Sequence, residues 1–155
     1  MLNLPGRFEY FSDAWLEEAG AFFRGDLAKS RLGDQPFSFS ERFTDAPPHL
    51  CLPDGVADFT LRWDGREASV TRGFDPDADQ TVEGDYTAGL TGAQFVGLRA
   101  PGAPQAMLRE LKTLFGRDAF RLKGGAPNEQ IQELMHLFHD HMGRRTVENP
   151  DLAHR

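Results

Sequence analysis

The chain has 155 residues, 39% of them hydrophobic and 26% charged. That is enough for one soluble domain to bury a core without disulfide or metal staples. Its net charge of −7 repels phosphate backbones and anionic bilayers, which excludes nucleic acid as a partner. No run approaches the roughly 18 apolar residues that a span requires, so stable membrane insertion is excluded too. The single cysteine, Cys51, forbids an internal disulfide and fits a reducing compartment. The opening Met1–Arg7 lacks the charged region and apolar run of a signal peptide, so a cytoplasmic location is expected. Thirteen Phe stand against two Tyr and two Trp. Phe brings large apolar area without a polar group to satisfy, so this excess builds a thick core or lines a greasy cavity.

Ser12 or Asp13 is placed to cap a first helix running to about Lys29. Its apolar side carries Trp15, Leu16, Ala19, Phe22, Phe23 and Leu27, and its polar side Glu17, Glu18 and Arg24. Phe37, Phe39, Glu41 and Phe43 alternate with Ser38, Ser40 and Arg42, which is the period of a strand. One face of that strand is nearly all Phe. Asp45-Ala46-Pro47-Pro48-His49 is a stiff connector. Phe59, Leu61 and Trp63 form a second alternating strand. Asp64-Gly65 then predicts a two-residue hairpin turn with a return strand from Glu67 to Gly73. Residues 75–79 form an acidic turn before a short strand from Thr81 to Gly84. Between Thr87 and Phe115 the pattern is helical, interrupted by Gly92, Gly97 and Pro101-Gly102-Ala103-Pro104. Two short helices result, the second with Met107, Leu108, Leu111, Leu114 and Phe115 as its stripe. Ala119 to Lys123 is a last strand, stopped by Gly124-Gly125. Asn128 caps a final helix to about Arg145. The domain therefore covers residues 1–145, and 146–155 form a polar C-terminal tail on the surface.

Chemistry-bearing residues do not assemble into a catalytic or metal motif. His136, His139, Asp140 and His141 share one helix. At about 100° per residue, His136 and Asp140 meet on the polar side while His139 and His141 lie on opposite flanks. Two ligands are too few for zinc, so an i,i+4 charge pair on a solvated face is expected and no metal. Asp75, Asp77 and Asp79 have the spacing that opens a calcium loop. Gln80 and Tyr86 stand where such a loop needs Gly and Glu, so a turn is the reading. Cys51 sits between Leu50 and Leu52 and reads as a half-buried thiol. Asp85 reads as a helix cap. No cofactor motif is present.

The order of elements and the residues Trp63-Asp64-Gly65, Asp75-Pro76-Asp77-Ala78-Asp79, Thr81-Val82-Glu83-Gly84-Asp85-Tyr86 and Phe120-Arg121-Leu122-Lys123-Gly124 resemble the sterol carrier protein type 2-like family. The match is best from about Val56 to Gly125. The resemblance implies an α+β fold with a five-stranded, mainly antiparallel sheet and helices covering one face. It also implies an apolar tunnel between sheet and helices that takes sterols, fatty acyl chains or related lipids. The family's peroxisomal address is not matched by Leu152-Ala153-His154-Arg155.

The final helix places Ile131, Leu134, Met135, Phe138 and Met142 in one stripe, and Met adapts to varied ligands. With the resemblance, Leu134, Met135, Phe138 and Met142 are candidate tunnel-lining residues, together with Phe23, Phe95, Leu98, Leu111 and Phe115. The expected function is binding or transfer of an apolar small molecule. One alternative is a small enzyme on a hydrophobic substrate in the same cavity, using His139, His141, or Asp85 with Tyr86. Another is an interaction module whose stripe docks a partner or a second copy as a homodimer.

Overall fold

A computed structural model describes residues 7–50, 55–96, 109, 113 and 120–147. A two-residue strand β1 (Phe8–Glu9) leads into helix α1 (Asp13–Arg24), where the Ser12 side chain accepts from the Trp15 amide at 3.1 Å. The expected first helix is two helices. Gly25 adopts φ −74° and ψ 163°, an extended conformation that ends α1 before α2 (Asp26–Leu32) begins. The break resets the helical phase. Ala28 and Leu32 turn inward, while Leu27, assigned by sequence to the apolar side, is 48% exposed.

The main sheet contains β2 (Phe37–Thr44), β3 (Val56–Trp63), β4 (Ala68–Thr71), β5 (Gln80–Asp85) and β6 (Phe120–Gly124), in the order β4-β3-β2-β5-β6. Three neighbouring pairs are antiparallel, and β2 and β5 are parallel. The sheet is therefore mixed. Between β3 and β4 the turn is longer than the predicted two residues, because Trp63 pairs with Ala68. Asp64 Oδ1 accepts from the amides of both Arg66 and Glu67 at 2.8 Å, closing the four-residue loop, an Asx-type turn. The return strand is correspondingly short, Ala68–Thr71.

The parallel pair follows from how the acidic segment crosses the polar side of the sheet. The Asp75 amide donates to Ser40 Oγ at 3.0 Å, the Asp79 amide to Ser38 Oγ at 3.0 Å, and the Ser38 amide to Asp79 Oδ2 at 2.8 Å. The Gly73 amide donates to Asp58 Oδ1 at 3.0 Å, and Arg62 pairs with Asp75 at 2.8 Å. These aspartates are thus engaged as turn and crossover acceptors. The chain that leaves β4 is carried over β3 and β2 to enter β5 beside β2. Gly124, at φ +73°, ends β6 where an added Cβ would lie 2.0 Å from the Asp79 carbonyl, a position that only glycine occupies without strain.

Helix α3 (Tyr86–Val96) follows β5, and α4 (Glu129–Arg145) follows β6 with Asn128 accepting from the Ile131 amide at 2.9 Å. Arg109 and Thr113 are helical. Met107, Leu108, Leu111, Leu114 and Phe115, expected as a helical stripe, lie outside the described residues. So does Cys51.

The expected polar tail begins inside the fold. Strand β7 (Thr146–Val147) pairs in parallel with β1, Phe8 opposite Thr146. Buried Thr146 accepts from Trp15 Nε1 at 3.0 Å and donates to the Met142 carbonyl at 2.7 Å. No helix among the described residues is long and apolar enough to cross a membrane.

Candidate functional site

Strand register sorts the sheet into two unlike faces, since directly paired residues point the same way. One face carries Ser38, Ser40, Arg42, Asp58, Thr60, Arg62, Thr81, Glu83, Arg121 and Lys123. The other carries three rows of interest: Phe37 with Trp63, Phe39 with Leu61, and Phe59–Glu41–Val82–Leu122. Helices α1, α3 and α4 lie on this second face. Phe138 of α4 meets Phe23 of α1 with ring centroids 4.8 Å apart, and His139 meets Phe39 edge-on at 5.8 Å. Gly89 of α3 lets the Phe43 ring approach so closely that an added Cβ would be 2.7 Å from it.

Glu41 is the one acid in this apolar face among the described residues. It sits in the central strand and is 6% exposed. The Tyr10 phenol donates to Oε2 at 3.4 Å, a long bond. Among the described residues, the buried side-chain nitrogen or oxygen without a hydrogen-bond partner is Arg72 Nη1, not an oxygen of Glu41. Burial raises the carboxyl pKa to about 8, against a smaller lowering by the Tyr10 bond. The side chain is therefore mostly a neutral acid at pH 7. The Tyr10 phenol is raised well above its ordinary value, first by burial and then by the nearby Glu41 carboxyl. Tyr10 is itself fixed by aromatic edges: Phe11 at 4.7 Å, Trp15 at 5.1 Å and Tyr86 at 5.4 Å.

No protein-family model matches this chain, and neither does any of the curated proteins. Solved structures do. A conserved hypothetical protein of Thermus thermophilus, described as possibly a sterol carrier protein, is 18% identical with a TM-score of 0.51, over 90% of this chain and 92% of that one. Sterol carrier protein 2 is 20% identical (TM-score 0.46; 85% of this chain, 98% of that one). A ubiquinone synthesis protein, UbiJ-SCP2, is 13% identical (TM-score 0.45; 88% and 91%). The chain has a sterol carrier protein-like fold.

Within this sterol carrier-like frame, Phe23, Leu134, Met135, Phe138 and Met142 are all buried in one hydrophobic cluster with the Phe-rich sheet face. Phe95 belongs to α3, whereas Leu98, Leu111 and Phe115 lie outside the described residues. Two histidines of α4 are occupied separately. His141 Nε2 lies 2.8 Å from Glu18 Oε1, and His139 Nδ1 lies 2.6 Å from the Met135 carbonyl. Asp140 pairs with Arg144 at 3.2 Å, one turn after it in the helix, where the sequence reading paired it with His136 one turn before. Among the described residues no group of three or more His, Cys, Asp or Glu is placed to hold a metal.

Asp85 accepts from the Thr87 amide at 2.9 Å and the Ala88 amide at 3.3 Å, capping α3. Tyr86 is fully buried and donates to the Tyr10 carbonyl at 2.6 Å. The Asp85–Tyr86 couple is thereby committed to holding α3. The residues that sequence reading passed over are Glu41 and Tyr10. The signal for Glu41 was present: one acid at an inward position of a strand whose other inward residues are Phe.

Proposed function

We propose that this chain binds an apolar small molecule, a sterol, a fatty acyl chain or a related lipid, between the aromatic face of its sheet and the helices over it, and passes it on. The observation that supports this reading is the row Phe59–Glu41–Val82–Leu122. Beyond Glu41 its apolar surface continues from buried Val82 to Leu122, which is 48% exposed on the edge strand. The description of the Thermus protein as possibly a sterol carrier points the same way. Phe23, Leu134, Met135, Phe138 and Met142 are the proposed walls on the helix side, with Phe95, Leu98, Leu111 and Phe115 completing them.

Binding of this kind is driven by apolar area leaving water, at about 25 cal/mol per Å². Affinity should therefore change little with salt. It should rise about fourfold per added methylene until the space is filled. The test is titration with fluorescent sterol and acyl probes, alongside native mass spectrometry and solvent extraction of the purified protein. Saturable uptake, with a stoichiometric lipid released on denaturation, is expected. A folded chain that takes up no probe would sink the reading.

A further inference from the structure

We propose that the open edge of β6 is a docking site for an acidic, extended segment of a partner protein, which adds to the five-stranded sheet as one further strand. Such docking is independent of the binding function proposed above.

Among the described residues β6 ends the sheet and pairs on one side only, with β5. In an antiparallel pair every second residue turns its N–H and C=O away from the neighbour, so an edge strand offers a row of unmet backbone groups. Arg121, Leu122, Lys123 and Gly124 are all exposed. Side chains alternate between the faces of a strand. Consecutive exposed residues therefore leave both sides of β6 uncovered, including the side that carries helices elsewhere in the sheet. The opposite edge is built differently. Ala68 and Val70 of β4 pack against the core, α1 lies against that strand, and Arg72 just beyond it is tied to Asp13 of α1 at 2.7 Å. One outer strand is thus held under a helix, and the other, among the described residues, is open.

The charge of the strand selects what docks there. Arg121 and Lys123 share the polar face, beside Glu83 and Thr81 of β5. Neither is ion-paired among the described residues, whereas Arg62 of β3 and Arg72 after β4 each hold a carboxylate. In a protein of net charge −7, this outermost strand is locally basic. Cations on an edge commonly guard against unwanted pairing, and here they guard against a second copy. In a symmetric antiparallel pair of two β6 strands centred on Leu122, each Arg121 would face the other copy's Lys123. Like charges directly opposite one another are destabilising. An acidic strand reverses the sign. Its carboxylates would stand beside Arg121 and Lys123 at one strand spacing, about 4.8 Å. An apolar residue between those carboxylates would cover Leu122 on the other face. The sequence that fits therefore alternates acidic and apolar residues, recognised through its main chain and through every second side chain.

The experiment is an NMR titration of the isotope-labelled full chain at neutral pH and low salt. Two peptides of about seven residues, long enough to cover β6, are compared: one alternates glutamate with valine, the other lysine with valine. The glutamate peptide should bind saturably and about tenfold tighter than the lysine peptide, the worth of two cross-strand charge pairs. The amide signals of Phe120–Gly124 should move most, and their hydrogen exchange should slow. Arg121→Glu combined with Lys123→Glu should reverse the preference, and added salt should weaken it in both proteins. The wild-type ranking and the map of shifted amides need no variant, so they decide even if the charge-reversed chain fails to fold. Equal binding of the two peptides, shifts centred away from β6, or no binding at all overturns the docking site. Slowed exchange at β6 that rises with protein concentration in the absence of peptide identifies a second copy as the occupant and overturns the acidic partner. None of these outcomes bears on the uptake of an apolar molecule.

Discussion

The phenol of Tyr86 donates a 2.6 Å hydrogen bond to the main-chain carbonyl of Tyr10. This bond ties the first residue of α3 to the segment that precedes α1, across the end of the aromatic sheet face. Tyr10 in turn reaches Glu41 with its own phenol. Three residues far apart in sequence therefore form one polar thread through an apolar interior. Because Tyr86 is fully buried, removing its hydroxyl strands a carbonyl away from water. Tyr86→Phe should cost about 1–3 kcal/mol. Urea unfolding would show this as a lower midpoint at unchanged slope. A midpoint equal to wild type would mean that the bond contributes nothing net.

The two glycines that end β6 make opposite predictions. Gly124 has φ +73°, and a Cβ there would sit 2.0 Å from the Asp79 carbonyl. Nothing lies within 4 Å of the Cβ position at Gly125. Gly124→Ala should destabilise by about 2–4 kcal/mol through strain and displacement of the acidic crossover. Gly125→Ala should stay within about 0.5 kcal/mol of wild type. Paired thermal or urea melts check both, and equal stabilities would contradict the register of β5 and β6.

What was legible in the sequence was mostly local. Ser12 and Asn128 act as caps because each side chain satisfies an orphan amide of its own helix, a signal carried by adjacent residues. The Phe alternation of β2 is likewise a two-residue pattern. Gly25 went unrecognised as a break, because an isolated glycine within an apolar helical period is tolerated as often as not. The parallel pairing of β2 with β5 could not be read, since it depends on Asp75 and Asp79 meeting Ser40 and Ser38 across the sheet. Glu41 was visible in the alternation, but its meaning depends on Tyr10 and on which face the helices cover. Neither is a property of neighbouring residues. The apolar stripe of α4 was read correctly as one face, and Ile131, Leu134, Met135, Phe138 and Met142 are all buried.

Thr146 closes the fold at the C-terminal end of α4. It accepts from Trp15 Nε1 at 3.0 Å while donating to the Met142 carbonyl at 2.7 Å. Thr146→Val keeps the shape and deletes the acceptor, leaving a buried indole N–H unpaired. A loss of about 1–3 kcal/mol is expected, with a change in Trp fluorescence as the indole environment alters. Thr146→Ser should retain both bonds and most of the stability. If Val and Ser variants melt together, the hydroxyl is not what holds this end.

The buried acid makes stability depend on pH in a defined direction. Burial raises the Glu41 carboxyl from 4.5 to about 8 in the folded chain. Between those two values the folded state holds a proton that the unfolded state has released. Stability must then fall as pH rises through this window, with the contribution fully present below the unfolded value and lost above the folded one. The decline attributable to Glu41 should be on the order of a few kcal/mol from pH 5 to 9. Glu41→Gln replaces the acid by a neutral amide of the same shape, still within reach of Tyr10, and should abolish that slope. Subtracting the variant's unfolding free energy from that of wild type at each pH isolates the one carboxyl from all the other titrating groups. The difference should be smallest near pH 5 and should grow steadily in the variant's favour toward pH 9. A flat difference would mean that Glu41 titrates normally, and the side chain would then have to reach water by a route other than the apolar face.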